Sequence, residues 1–108
     1  MYTLTAIFGA PENKEAFDKH YVEIHTPIVK SFPGIRRIEV TRVAKMLTPP
    51  TDTLLKAPHL VCTMYFDDKA SMLAALNSEQ GMASGADARS FAGPLLSMIT
   101  GEVTDIPL

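Results

Sequence analysis

Residues 59–66 read His-Leu-Val-Cys-Thr-Met-Tyr-Phe and run straight into Asp67-Asp68. The stretch alternates with period two and is rich in β-branched and aromatic residues, which makes it a strand. Leu60, Cys62, Met64 and Phe66 fall on one side, wholly apolar, so that side belongs under helices. Val61, Thr63 and Tyr65 fall on the other, which is mixed. Asp67-Asp68 then opens a helix, acidic side chains being favourable at the positive end of the helix dipole. A strand with one dry face, leading directly into a helix, belongs to a sheet whose helices lie on one side.

Working outward, residues 2–8 alternate in the same way and predict strand one. Gly9-Ala10-Pro11 ends it, and residues 12–25 predict a helix with Phe17, Tyr21, Ile24 and Ile28 as its inward stripe. Pro27 disfavours helical geometry at Thr26, so the helix is expected to break there, with Thr26 capping a short second piece that runs to Phe32. Pro33-Gly34 is a stop. Residues 35–47 predict strand two, with Ile38 and Val40 on one side and Arg37, Glu39 and Thr41 on the other. Residues 48–58, with three prolines, predict a loop. After Asp68, Met72, Leu73 and Leu76 supply the apolar face of the next helix. A further helix over 79–92 places Met82 and Phe91 inward and is weakened by Gly81 and Gly85. Residues 97–106 predict strand four. The order β-α-β-β-α-β is the split βαβ, ferredoxin-like pattern: α+β, a four-stranded antiparallel sheet with helices on one face.

The composition agrees. In 108 residues, 46% are hydrophobic and 20% charged, a globular balance. The formal net charge is −2 and the basic residues are scattered, so no nucleic-acid footprint is present. Cys62 is the sole cysteine and reads as a small core residue, excluding a disulfide framework. The chain opens on a strand pattern rather than a signal peptide, and no apolar run is long enough to cross a bilayer, so the cytoplasm is the expected compartment.

Helices cover one face of such a sheet; the other meets water or a partner. Thr3, Thr5 and Ile7 on strand one and Val61, Thr63 and Tyr65 on strand three suit a half-wet cavity. Two copies meeting face to face about a two-fold axis would enclose it, which predicts a homodimer. A monomer with an amphipathic outer face is the alternative.

Residues 17–28 (Phe-Asp-Lys-His-Tyr-Val-Glu-Ile-His-Thr-Pro-Ile), then Phe32-Pro33-Gly34-Ile35, resemble the EthD family: an aromatic helix stripe, a His-x-Pro, then Pro-Gly with an apolar residue. Met64-Tyr65-Phe66-Asp67-Asp68 and Ala74-Ala75-Leu76-Asn77-Ser78-Glu79 are similar to its second half. The resemblance spans residues 1–108 as one EthD-like domain. It implies a dimeric α+β barrel and a link to degradation of ethyl tert-butyl ether. Related barrels include cofactor-free monooxygenases, lactone isomerases and polyketide cyclases. The family's helix usually carries two aromatics where this chain has His20 and Tyr21.

His25 is the main candidate for chemistry. It flanks the stripe at the expected helix break, where its pKa would fall near working pH, as a general acid or base requires. The other reading is a structural histidine bonded to carbonyls freed at the break. Tyr21, one turn earlier, is either a donor to a bound carbonyl or core with its hydroxyl at the rim. His20 is expected on the opposite flank of the stripe. His59 is expected at the mouth of the open face, on the side of Val61 and Tyr65. Tyr65, Thr63, Thr5 and Glu39 are expected to line the cavity, with Arg37 and Glu39 equally able to pair with each other or with the opposite strand, serving only the dimer.

No metal is expected, since His20, His25 and His59 match no metal-ligand spacing. No cofactor is expected either, for there is no nucleophile elbow, phosphate loop or dinucleotide fingerprint; an enzyme here would be cofactor-independent or would borrow its cofactor from a partner. Together with the resemblance, which implies an oxidoreductase, isomerase or cyclase type, this predicts a small cofactor-independent enzyme acting on an apolar or carbonyl-bearing metabolite. The alternative is a non-catalytic ligand-binding or accessory protein of a degradation pathway. A regulatory effector domain has no DNA-binding segment to support it. Neither membrane nor nucleic acid is an expected partner.

Overall fold

The computed structural model describes residues 1–49 and 57–108, so most of the loop expected over 48–58 lies outside the described residues. Strand β1 (Tyr2–Gly9) pairs antiparallel with β3 (Pro58–Phe66) on one side and β4 (Leu96–Glu102) on the other, and β2 (Arg37–Arg42) completes the sheet beyond β3. The order β2-β3-β1-β4 is that of a ferredoxin-like sheet. Strand two is shorter than the expected 35–47, and strand four stops at Glu102 rather than 106. The alternation holds. Leu4, Ala6, Phe8, Leu60, Cys62, Met64 and Phe66 are all buried on the helix side. Phe8, Leu60 and Phe66 are the most completely enclosed. Burial of each such side chain stabilises the fold by about 1.5–3 kcal/mol.

The first helical segment departs from expectation. Asn13 caps α1 (Lys14–His20) by accepting from the Ala16 N–H at 3.0 Å. The chain then passes through a π turn, Tyr21–His25, into α2 (Thr26–Lys30) without a break. Thr26 is helical (φ −56°, ψ −45°) and does not cap; its N–H bonds the Tyr21 carbonyl, and its hydroxyl donates to the same oxygen at 2.8 Å. Pro27 lacks an N–H, and the wider turn redistributes the helix hydrogen bonds around that gap.

The π turn also changes the inward face. The buried residues are Phe17, Tyr21, His25 and Val29, four apart each time. In a pure α-helix that spacing drifts by about 40° per step, and the wider turn absorbs the drift. Ile24 is consequently 50% exposed, and Ile28 is only half-buried. The turn after α2 is made by Gly34 in the left-handed region (φ 76°), which favours glycine.

Asp68 caps α3 (Lys69–Leu76), accepting from Ser71 N–H at 2.7 Å, and Ser78 caps α4 (Glu79–Phe91) through Gly81 N–H at 3.1 Å. Met72 is inward as expected, but Ala75 rather than Leu73 accompanies it, and Met82 is 68% exposed. The inner face of α4 is instead Gly81, Ser84, Ala88 and Phe91. Gly81 explains the shift: a Cβ there would lie 2.2 Å from the Ala75 carbonyl and 2.5 Å from that of Leu76. The glycine lets α4 start against the end of α3. Gly81→Ala is expected to cost about 1–3 kcal/mol, read as a fall in denaturant midpoint, whereas the usual gain from alanine in a helix would raise it. Among the described residues, no helix is long and apolar enough to cross a membrane.

Candidate active site

The small side chains of α4 leave space above the sheet. A cavity of about 90 Å³ lies there, walled by Leu4, Phe8 and Met64 from the sheet, Val29 and Phe32 from the first helical segment, and Ser84 and Ala88 from α4. One water needs roughly 10–15 Å³ in such a measure, so the space takes a small organic group. His25 and Tyr21 both line it.

His25 is the buried polar residue of this core, 5% exposed. Its Nδ1 lies 2.9 Å from Asp87 Oδ2, and the other oxygen of that carboxylate lies 2.8 Å from His20 Nε2. A carboxylate only accepts, so Nδ1 carries the proton and Nε2 is left as the basic nitrogen of a ring that lines the cavity. Phe8 packs edge-on against the imidazole at 6.4 Å and Phe91 lies at 5.2 Å, fixing the ring's plane. Burial lowers the His25 pKa below its ordinary 6.5; the Asp87 hydrogen bond and charge oppose this without reversing it. A neutral imidazole is a base.

The same shift makes stability pH-dependent. A histidine whose folded pKa is depressed binds fewer protons folded than unfolded between the two values, so stability rises with pH across that window. The contribution is complete above 6.5 and is lost as pH falls through the lower folded value. Acidification from neutral pH into that window is expected to lower the melting temperature more in the native protein than in a His25→Gln variant, by calorimetry at each pH.

The Tyr21 phenol is pushed far above its usual range, first by burial and then by the neighbouring Cys62 thiol, so it remains a hydrogen-bond donor. Its ring lies 5.4 Å from that of His25. Burial likewise raises the Cys62 thiol, which argues against a thiolate nucleophile.

The other expected site residues are placed elsewhere. Thr5 and Thr63 oppose each other across β1 and β3 on the helix-free face, with Tyr65 and Glu39 beside them. Tyr65 donates to Glu39 Oε1 at 2.5 Å, and Arg37 donates to Glu39 Oε2 at 2.6 Å. The sheet separates these four from His25 and Tyr21, so one cavity does not gather them all, because successive side chains of a strand point to opposite faces.

His59 leaves its expected side as well. The β1–β3 register slips between Phe8 and Gly9, opposite His59. The bulge turns the ring toward α1, where Nε2 meets Asp18 Oδ1 at 2.7 Å and the imidazole packs edge-on against Phe17 at 5.5 Å. His20, expected on the opposite flank from His25, joins it instead on Asp87. A π turn bonds five residues apart rather than four, and its slower winding brings positions 20 and 25 toward one face. Asp87 itself was not foreseen. Its signal was the spacing of Ser84, Asp87, Ala88 and Phe91, a helical stripe with one carboxylate inside it.

The fold and the pocket define a ferredoxin-like α+β protein with a partly open apolar cavity under its helices. The chain belongs to the EthD family: residues 10–94 match the EthD domain, a span that includes Tyr21, His25 and Asp87. It is similar to an ethyl tert-butyl ether D (EthD) family protein from Bacillus halodurans C-125, with 38% identity, 96% of this chain and 99% of that one covered, and a TM-score of 0.84. It is 29% identical to an uncharacterized 11.0 kDa protein from the thcB-thcC intergenic region of Rhodococcus erythropolis, over 99% of this chain and 100% of that one. Two more distant structures share the fold alone. One is a dimeric ferredoxin-like protein from Thermobifida fusca (7% identity, 94% and 90% covered, TM-score 0.68). The other is SnoaB, a cofactor-independent oxygenase from Streptomyces nogalater (13% identity, 97% and 94% covered, TM-score 0.67).

Proposed function

We propose that this EthD-family protein is a cofactor-independent enzyme of small-molecule catabolism that removes a proton from an apolar metabolite held between sheet and helices. The observation that carries the reading is a buried imidazole on the wall of an apolar cavity, bonded through Nδ1 to a carboxylate and held neutral by burial. His25 Nε2 takes a proton from an acidic O–H, or from a C–H beside a carbonyl. The electron pair stays on the substrate as a phenolate or enolate, whose oxygen the Tyr21 hydroxyl can meet. Asp87 holds the Nδ1–H tautomer and balances the imidazolium that forms. From such an anion, oxygenation by dioxygen, isomerisation and cyclisation all proceed without a bound redox group. An oxidoreductase of this kind in ether degradation fits the family, and the buried thiol of Cys62 fits a reducing compartment such as the cytoplasm.

A thermal-shift screen of small phenols, enolisable ketones and saturated ethers tests this. The reading expects the melting temperature to rise with the first two classes and product to accumulate by mass spectrometry. A ligand that stabilises the protein and is recovered unchanged after long incubation would instead favour a binding or accessory role.

The reading includes a homodimer. The helix-free face carries Ile7, Val61, Thr63 and the 59% exposed Ile99, which no helix among the described residues covers. Sedimentation is expected to give twice the 11.8 kDa chain mass, and Thr63→Arg, which places a charge at the centre of that face, is expected to shift the protein toward monomer. A monomer at all working concentrations contradicts the pairing.

A further inference from the structure

We propose that His20 and His25 are the outer and inner ends of a proton-exchange pair joined by the Asp87 carboxylate, so that a proton taken up at His25 Nε2 inside the cavity is balanced by one released from His20 to solvent. The proposal rests on the reading of the cavity as a site of proton transfer and extends it to how the charge of that proton is balanced.

Asp87 offers one oxygen to each ring, Oδ2 to His25 at 2.9 Å and Oδ1 to His20 at 2.8 Å. The two rings differ in access: the His25 side chain is 7% exposed and that of His20 32%. His20 stacks on Phe91, with centroids 4.4 Å apart, and both line an outer groove with Glu12 and Asn13. Phe91 also packs against His25, so an apolar ring stands between groove and cavity while the carboxylate bridges past it. The groups facing the pair are Tyr21 and Cys62 on the cavity side, Asp87 between the rings and Glu12 in the groove.

One carboxylate balances one imidazolium. Two imidazolium rings on Asp87 would leave an uncompensated charge beside an apolar cavity, which is costly. The exchange balances as follows. The exchange starts from the form of the pair that carries one proton on His20, with Asp87 as the carboxylate and His25 neutral. The substrate O–H or C–H bond breaks, its electron pair stays on the substrate, and the proton bonds to His25 Nε2. His20 then loses its Nδ1 proton to water. Asp87 remains a carboxylate throughout, the three groups sum to zero charge before and after, and no proton crosses the carboxylate.

The test needs no substrate. Histidine-labelled, ligand-free protein is titrated by NMR from about pH 5 to 8, and the curves of both rings are read. The pair is expected to titrate in two coupled steps shared by both rings. His20→Gln keeps an N–H donor toward Asp87 but does not titrate. In that variant His25 is expected to give a single step whose midpoint rises by about one pH unit. His20→Phe, which preserves the stack on Phe91, provides the same reading should the glutamine variant fold poorly. A His25 curve identical in native protein and both variants overturns the pair. That result leaves the role of His25 itself to the ligand and turnover experiments, which do not depend on His20.

Discussion

Phe8→Ala is expected to lower the unfolding free energy by about 3–5 kcal/mol, the usual cost of truncating an enclosed aromatic. Phe8 is 1% exposed and sits where the sheet meets the first helical segment and α4. Its ring packs edge-on against Phe17 at 5.5 Å, Tyr21 at 5.6 Å and His25 at 6.4 Å, and lies 6.0 Å from Phe91. Removing it withdraws a contact from every aromatic that orients the imidazole and merges its volume with the existing cavity. A domain of this size commands about 5–15 kcal/mol in total, and each 1 kcal/mol moves the melting temperature by roughly 4–8 °C. Chemical denaturation reads the loss directly. A cost below about 1 kcal/mol would mean that the neighbours collapse into the space and that Phe8 is not the hub of this layer.

His25→Ala is expected to lower turnover on a substrate found by the screen by about 10²–10⁴-fold, the range general-base catalysis supplies. The fold and oligomeric state should persist, since the change removes one ring from the wall of an already open cavity rather than from the sheet. Steady-state rates across pH give a second reading. In the native protein the rate falls on the acid side as His25 protonates, below its ordinary 6.5 because burial depresses it; the residual rate of the alanine variant lacks that limb. Unchanged turnover in the variant removes His25 from the mechanism.

The sheet was legible because period two survives any tertiary context: the buried set Leu60, Cys62, Met64 and Phe66 follows from the alternation alone. Tyr21 and His25 were legible as neighbours of the apolar stripe for a related reason, since helical spacing places them near Phe17. What failed depended on contacts between distant segments. The π turn at Tyr21–His25 leaves no periodic trace, so Ile24 and Ile28 were placed inward where His25 and Val29 belong. The slip opposite His59 is one residue long and reverses a single side chain. The sequence points to a cavity on the helix-free face because composition tells which residues share a face but not how fully the helices fill the other. Gly81, Ser84, Gly85 and Ala88 on α4 decide that question, and they act by what they leave empty. A local pattern puts Asp87 on the inner face of α4 but not against His25, which lies 62 positions away in sequence.

The central claim is that the chemistry lies between sheet and helices, with the substrate against His25 Nε2. A crystal structure with a ligand from the screen tests it most directly. The account predicts electron density in the cavity, in contact with Phe8 and Met98 and within hydrogen-bond reach of His25. Density on the opposite side of the sheet, among Thr5, Thr63 and Tyr65, with the space beside His25 unfilled, would contradict it.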